Sequence, residues 1–399
     1  MKLLFVCTTE LQLLTALNLK YNIYKDDIAD IIVDNYHGEE AALADRIKQT
    51  NIFRNVCFVK SNIEEKTIHA YLRGISDGKT NITSGDALVN SFFFVWSRIK
   101  TVFSKDKGWL SVLVNDFSKL TMSEYDAFFG YGGKKITKHV RSFLNEINPS
   151  CKIVQLDEGV GAYCAGNVGE NTKIDSCEVY EPDLLQFTAV TKKVQAIDKE
   201  DNTFVNIVNQ IFEYDDTKNV DFSVNIVFFD QGVSSPMPKY LRNASFLTKL
   251  IFHNSYRRHK VEEDVYERWK QITLEILKSV GEKNIWVKMH PRASSEALSF
   301  FAAMPNVNIM PQYRVPWEIM ALNSKVEDSV LMSFFSSSTC LHNSVVKSAG
   351  KNMIILLYDM VDLPIEQVVV DYCKALSKRF NNKIFIPKDR EEFLSFWKK

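Results

Sequence analysis

This chain predicts an α/β protein of two Rossmann-like, doubly wound domains, and three observations carry that expectation. Apolar runs of strand length alternate with helical patterns, the alternation restarts in the second half after a charged stretch, and polar clusters recur just beyond the apolar runs. A strand covered by helices on both faces reads as an unbroken apolar run, the mark of a parallel sheet. At 399 residues the chain also exceeds the roughly 250–300 at which a single core stops growing.

In chain order, "KLLFVC" reads as a strand and "ELQLLTALNLKYNIY" as the helix after it. "ADIIVD" and "NVCFVK" are further strands, and "YDAFFGYG" (125–132) is another whose glycines suit a tight turn onto the helix "KKITKHVRSFLNEI". Asn148-Pro149 stops that helix, because the residue before proline disfavours the helical region. "CKIVQL" (151–156) returns as a strand, while 63–123 fits the alternation poorly and reads as helices or an insertion. Residues 196–221 turn polar and charged, placing a boundary near 215–222 and two domains at 1–218 and 219–399, with the last helix free to pack back on the first. The second half repeats the grammar. "SVNIVFFDQG" is a strand, and "EDVYERWKQITLEILKSVG" is an amphipathic helix with Val265, Trp269, Ile272, Ile276 and Val280 on one face and Gly281 at its end. "KNIWVKMHP", "NVNIM" and "SVLMSFF" are strands, "SSSTCLHNSVVKSAG" is a serine-capped helix, and "NMIILLY" is the final core strand.

Composition narrows the function classes. Lysine plus arginine equals aspartate plus glutamate at 49 each, so no overall field draws the chain to nucleic acid or to a membrane. Thr8, Thr9, Glu10 and Gln12 interrupt the apolar start, which therefore reads as strand and helix rather than signal peptide. No window approaches the ~20 uninterrupted apolar residues of a membrane span. The seven cysteines are scattered without CxxC spacing, the pattern of buried, reduced thiols in a cytosolic protein. Nucleotide loops of the GxGxxG and GxxxxGK[ST] types are missing, as is the GxSxG elbow.

Ligands of doubly wound sheets bind outside the carboxyl ends of the strands. The residues standing there are Asp157-Glu158-Gly159, Asp230-Gln231-Gly232, His290-Pro291-Arg292 and Ser336-Ser337-Ser338-Thr339. Four hydroxyls in a row opening a helix suit an anion such as phosphate, aided by free N–H groups and the helix dipole; simple capping would need only one of them. His290 suits contact with a nucleotide phosphate or its protonation on leaving, the structural alternative being a lone histidine at a turn. Asp157 or Glu158 suits a general base in an inverting displacement at a sugar carbon, although a solvated turn before Gly159 would use the same residues. "YDDTK" (from Tyr214) has the look of a metal-binding acid pair but reads better as a solvated loop, and "YRRHK" (256–260) as exposed helix surface.

An acidic pair with glycine, then His-Pro, then a serine motif, in that order, resembles the bacterial sialyltransferases of the lipooligosaccharide and capsule polysaccharide type, polysialyltransferases included; "FVCTTELQLLTALNL" also resembles their opening strand and helix. The resemblance implies a GT-B architecture with the two domains facing across a cleft, and inverting transfer from CMP-sialic acid with no cofactor and no obligatory metal. It implies Asp157 as base, completed by Glu158 and Gly159, although Glu158 and Asp230 compete for that role. It implies His290 and Pro291 as the CMP-contacting His-Pro pair with Arg292 beside them, and Ser337 and Ser338, with Ser336 and Thr339 adjoining, as the phosphate cradle. The implied partners are CMP-sialic acid and a galactose- or sialic-acid-terminated glycan, with no nucleic acid, at a cytoplasmic location in peripheral contact with the inner face of the membrane. Rival readings are a polymer transferase using another CMP- or CDP-activated donor (CMP-Kdo, a CDP-polyol), a sugar-nucleotide epimerase, and a non-catalytic scaffold.

Overall fold

The structure, a computed structural model, describes residues 1–34, 40–59, 119–132, 135–164, 174–222, 225–231, 267–281, 284–291, 293–347, 351–360, 365–381 and 383–397. The chain forms two compact units, Met1–Gln195 with Asn206–Phe212, and Ala196–Val205 with Glu213–Lys399. It is α/β, with a parallel doubly wound sheet in each unit.

The first sheet contains β1 (Lys2–Cys7), β2 (Ile28–Asp34), β3 (Asn55–Val59), β4 (Ala127–Gly130), β5 (Lys152–Leu156), β6 (Ser176–Val179) and β7 (Thr191–Lys193). Their spatial order is β3-β2-β1-β4-β5-β6-β7, so the winding reverses between β1 and β4. Leu3, Leu4, Phe5 and Val6 are fully buried, as strands sandwiched between helix layers must be. The helix Lys135–Ile147 lays Ile136, Val140, Phe143 and Leu144 on this sheet beside Leu4, Phe128 and Ile153. Truncating Phe143 there would cost about 3–5 kcal/mol. Gly130 permits the close approach: a Cβ on it would stand 2.9 Å from the Thr137 methyl. Asn148 ends the helix and ties it down, its side-chain amide donating to the Tyr125 carbonyl at 2.8 Å.

The second unit contains β8 (Ile197–Asp198), β9 (Ile226–Phe229), β10 (Ile285–Lys288), β11 (Val307–Ile309), β12 (Val330–Ser333), β13 (Val346–Lys347), β14 (Met353–Leu356) and β15 (Ile384–Phe385). Its large sheet runs β11-β10-β9-β12-β14-β15, and β8 pairs with β13 separately. The same winding thus recurs, with the reversal between β9 and β12. Trp269, Ile276 and Leu277 of the helix through 267–279, with Val280 just past its end, pack with Phe228, Val287 and Phe301, and Gly281 follows at φ +82, where glycine is unstrained. The last helix, Arg390–Trp397, packs on this same core through the fully buried Phe393.

The strands that the sequence did not announce are short, and three helices it did not announce are longer: Glu40–Gln49, Asn202–Phe212 within the charged stretch, and Gln367–Arg379. β6, β7, β8 and β15 carry too few residues for a periodic signal, and all three residues of β7 are exposed. "NMIILLY" is followed by one more strand, β15, at the sheet edge. Most of 63–123, Val265 and the "YRRHK" run lie outside the described residues. "YDDTK" forms a 3-10 turn: Asp215 accepts from the Thr217 backbone N–H at 3.1 Å and pairs with Lys218 at 2.8 Å.

Candidate functional site at the carboxyl ends of the strands

In the first unit, β5 ends at Leu156 and the chain turns through Asp157, Glu158 and Gly159. The Asp157 backbone N–H extends the ladder by donating to the Glu178 carbonyl at 3.1 Å, which brings the side chain beneath the turn. Asp157 is completely buried. Its Oδ1 accepts from the Gly159 N–H at 2.9 Å; its Oδ2 accepts from the Tyr180 N–H at 3.1 Å and from the Tyr163 hydroxyl. Tyr163 in turn accepts from the Glu181 N–H at 3.2 Å. Burial pushes the Asp157 carboxyl up to about 6; the bonds from Tyr163, Gly159 and Tyr180 oppose that rise, and the nearby Glu181 charge adds to it. Gly159 sits at φ 109, a conformation few other residues accept, and opens the short helix Val160–Tyr163.

Glu158 points elsewhere. It is half-buried, and its Oε2 accepts from the Gln12 amide at 2.7 Å. Gln12 belongs to the helix after β1, so this bond joins the ends of β1 and β5 over that of β4, across the winding reversal. That crevice is where doubly wound sheets take their ligands.

In the second unit, three adjacent strand ends carry the polar residues: β10 leads to His290, β9 to Asp230 and Gln231, and β12 to the serine run. Asp230 is buried, and its Oδ2 accepts from the His290 backbone N–H at 3.3 Å. His290 is half-buried, and its carbonyl accepts from Ala293 N–H at 2.8 Å, closing the turn at Pro291. Arg292 lies outside the described residues, as does Gly232. The turn after β12 is braced twice: Gln231 Oε1 accepts from Phe335 N–H at 2.9 Å, and Ser333 Oγ from Ser336 N–H at 3.1 Å. Ser336 is the N-cap of the helix Ser337–Val345, yet its hydroxyl makes no capping bond. Ser336, Ser337 and Ser338 are half-buried, whereas Thr339 is fully buried in the core, its hydroxyl unpartnered. The same helix is anchored at its far end. His342 Nδ1 accepts from the Trp317 indole at 3.1 Å, which leaves Nε2 to donate to Asn352 Oδ1 at 2.9 Å. Burial pulls this imidazole down to about 4.

The structure thus gathers Asp157, Glu158 and Gly159 around one turn of the first unit, and Asp230, His290, Pro291, Ser336, Ser337 and Ser338 along neighbouring strand ends of the second. Gln12 and Tyr163 were not singled out as site residues in the sequence, whereas Gln231 was named with Asp230 and Gly232 at the end of its strand. For Gln12 a signal existed, because Thr9-x-x-Gln12 after an apolar run is a capping-box pattern. A surface hollow lined by Lys199, Asn219, Asp221 and Lys325 lies at the amino ends of β9 and β12, away from all these groups. All seven cysteines are buried free thiols. Among the described residues no helix is long and apolar enough to cross a membrane.

No family model matches the chain, and no curated protein matches it. Among solved structures it is similar to the alpha/beta-galactoside alpha-2,3-sialyltransferase of the luminous marine bacterium Photobacterium phosphoreum, with 10% identity over 96% of this chain and 98% of that one and a TM-score of 0.49. It is also similar to a candidate UDP-N-acetylglucosamine 2-epimerase from Listeria monocytogenes, with 9% identity over 100% of this chain and 90% of that one and a TM-score of 0.43. Similarity at this level assigns no residue and no reaction, so the fold rests on the strand order itself.

Proposed function

We propose that this chain is an inverting glycosyltransferase of GT-B type that moves sialic acid from CMP-sialic acid to a hydroxyl of a lipooligosaccharide or capsule glycan ending in galactose or sialic acid. The observation that supports it most is the row of three neighbouring strand ends in the second unit: a half-buried imidazole, then Asp230-Gln231, then serines whose leading hydroxyl is not spent on capping. Such a row suits a phosphate monoester. In the transfer the bond between the anomeric carbon and the CMP phosphate oxygen breaks, and the acceptor oxygen bonds to that carbon from the opposite side. The acceptor proton passes to a carboxylate, and CMP leaves with the electron pair. Ser336, Ser337 and Ser338, the helix N–H groups and His290 stabilise the leaving charge, His290 as acid or phosphate contact, so the scheme asks for no metal. Asp230 holds the His290 backbone.

Of the two acids after β5, Glu158 has the exposure that a base requires, and Asp157 holds the turn that presents it. The protein acts in the cytoplasm, reaching lipid-linked acceptors by peripheral contact. The test is mass spectrometry of products from lactose- and sialoside-terminated acceptors incubated with CMP-sialic acid and, separately, with CMP-Kdo, a CDP-polyol and UDP-N-acetylglucosamine. Sialylated product is expected. CMP release from a rival donor alone, or a product lacking a new glycosidic bond, overturns the proposal.

A further inference from the structure

Gln12 does more than helix capping explains. It stands three residues past the N-cap Thr9, whose hydroxyl accepts from the Gln12 N–H at 3.3 Å. A glutamine or glutamate at that position ordinarily returns to the backbone ahead of the helix. Here the fully buried Gln12 side chain does so through its oxygen, which accepts from the Thr8 N–H at 2.7 Å and the Thr8 hydroxyl at 3.1 Å. A backbone N–H can only donate, so the amide oxygen must face Thr8 and the amide nitrogen must face Glu158, 2.7 Å away and 146 positions on. A glutamate at position 12 would cap the helix equally well but would set one carboxylate against another. Only the amide serves both ends.

We infer that Gln12 is a positioning residue for Glu158: its oriented amide holds that carboxylate ionised and aimed into the crevice between the ends of β1 and β4. This rests on the reading of Glu158 as base. The same amide is anchored on Thr8, just past β1, so the β1 end helps to set the orientation of the base. A hydrogen bond donated to the charged form favours that form, and a like charge in its place disfavours it.

The experiment is the carbon-detected titration of glutamate side chains in full-length wild-type protein and Gln12→Glu, with Glu158→Gln to assign the signal. The Glu158 midpoint is expected to rise by roughly one pH unit or more in Gln12→Glu. Gln12→Met, which lacks the added charge, should shift it less. An unchanged midpoint in a folded Gln12→Glu protein overturns the inference, whatever the substrate. In turnover with CMP-sialic acid, the acidic limb of the kcat profile should move up with the midpoint, and Gln12→Met should lower kcat about tenfold with donor KM within about twofold. Full turnover in Glu158→Gln would sink the base assignment and leave the titration result standing, so the two failures are distinguishable.

Discussion

The two sheets share one winding, yet their carboxyl ends are built differently. In the first unit Asp157 spends both oxygens on three donors of its own chain, and Glu158 is gripped by Gln12. In the second, the backbone is braced by Asp230, Gln231 and Ser333, while the imidazole of His290 and the hydroxyls of Ser336 to Ser338 stay half-buried at the rim. A rigidly oriented carboxylate suits proton abstraction, where small errors of placement are costly. Half-buried hydroxyls over a braced turn at a helix start suit an anionic ligand. The first strand end is built for orientation, the second for access.

The comparison can be broken most forcefully at Asp157. Asp157→Ala strands two backbone N–H groups and a tyrosine hydroxyl in the interior, and should destabilise the protein by about 3–5 kcal/mol in denaturant melts. The corresponding Ser336→Ala should be nearly neutral there, and equal losses would erase the distinction.

The two units should also respond oppositely to pH. The Asp157 carboxyl titrates higher folded than unfolded, so the folded unit binds more protons between about pH 4 and 6, and its stability falls by roughly 3 kcal/mol as pH rises through that window. His342 titrates lower folded than unfolded, so there the unfolded chain binds more protons. Its contribution is present above about pH 6.5 and falls by roughly 3 kcal/mol as pH drops toward 4. Amide exchange at pH 5 and 7 reads the two separately: Asp157→Asn should flatten the response of the first unit alone, and His342→Asn that of the second alone.

His290→Ala sharpens the functional side, with an expected loss of about 10²-fold in kcat and little change in melting. The smallest effect is that of Ser336→Ala, which should raise donor KM roughly tenfold, the worth of about one hydrogen bond to a charged group. A loss in kcat with unchanged KM would move Ser336 from binding to chemistry.

Much of this was legible in the chain. Apolar runs such as "KLLFVC" and "CKIVQL" announce strands because burial on both faces leaves little place for polar side chains, and the residues just past them mark the polar strand ends. β7 was not legible, since an exposed edge of three polar residues has no pattern to show. Nor was the contrast between the neighbouring acids of the "DEG" turn, alike in sequence and opposite in environment. The sequence placed Asp157 first as base; the fold buries Asp157 completely and leaves Glu158 half-buried.

By itself, then, the sequence determined the strand–helix alternation, the repetition of that pattern in two halves, and the polar positions at the strand ends. These follow from local periodicity, which a few neighbouring residues suffice to encode. Tertiary structure alone decided which acid is sealed, which hydroxyls stay at the rim, and that a glutamine at position 12 grips a glutamate at 158. Those depend on strand order, and strand order is set by how distant segments pack to exclude water.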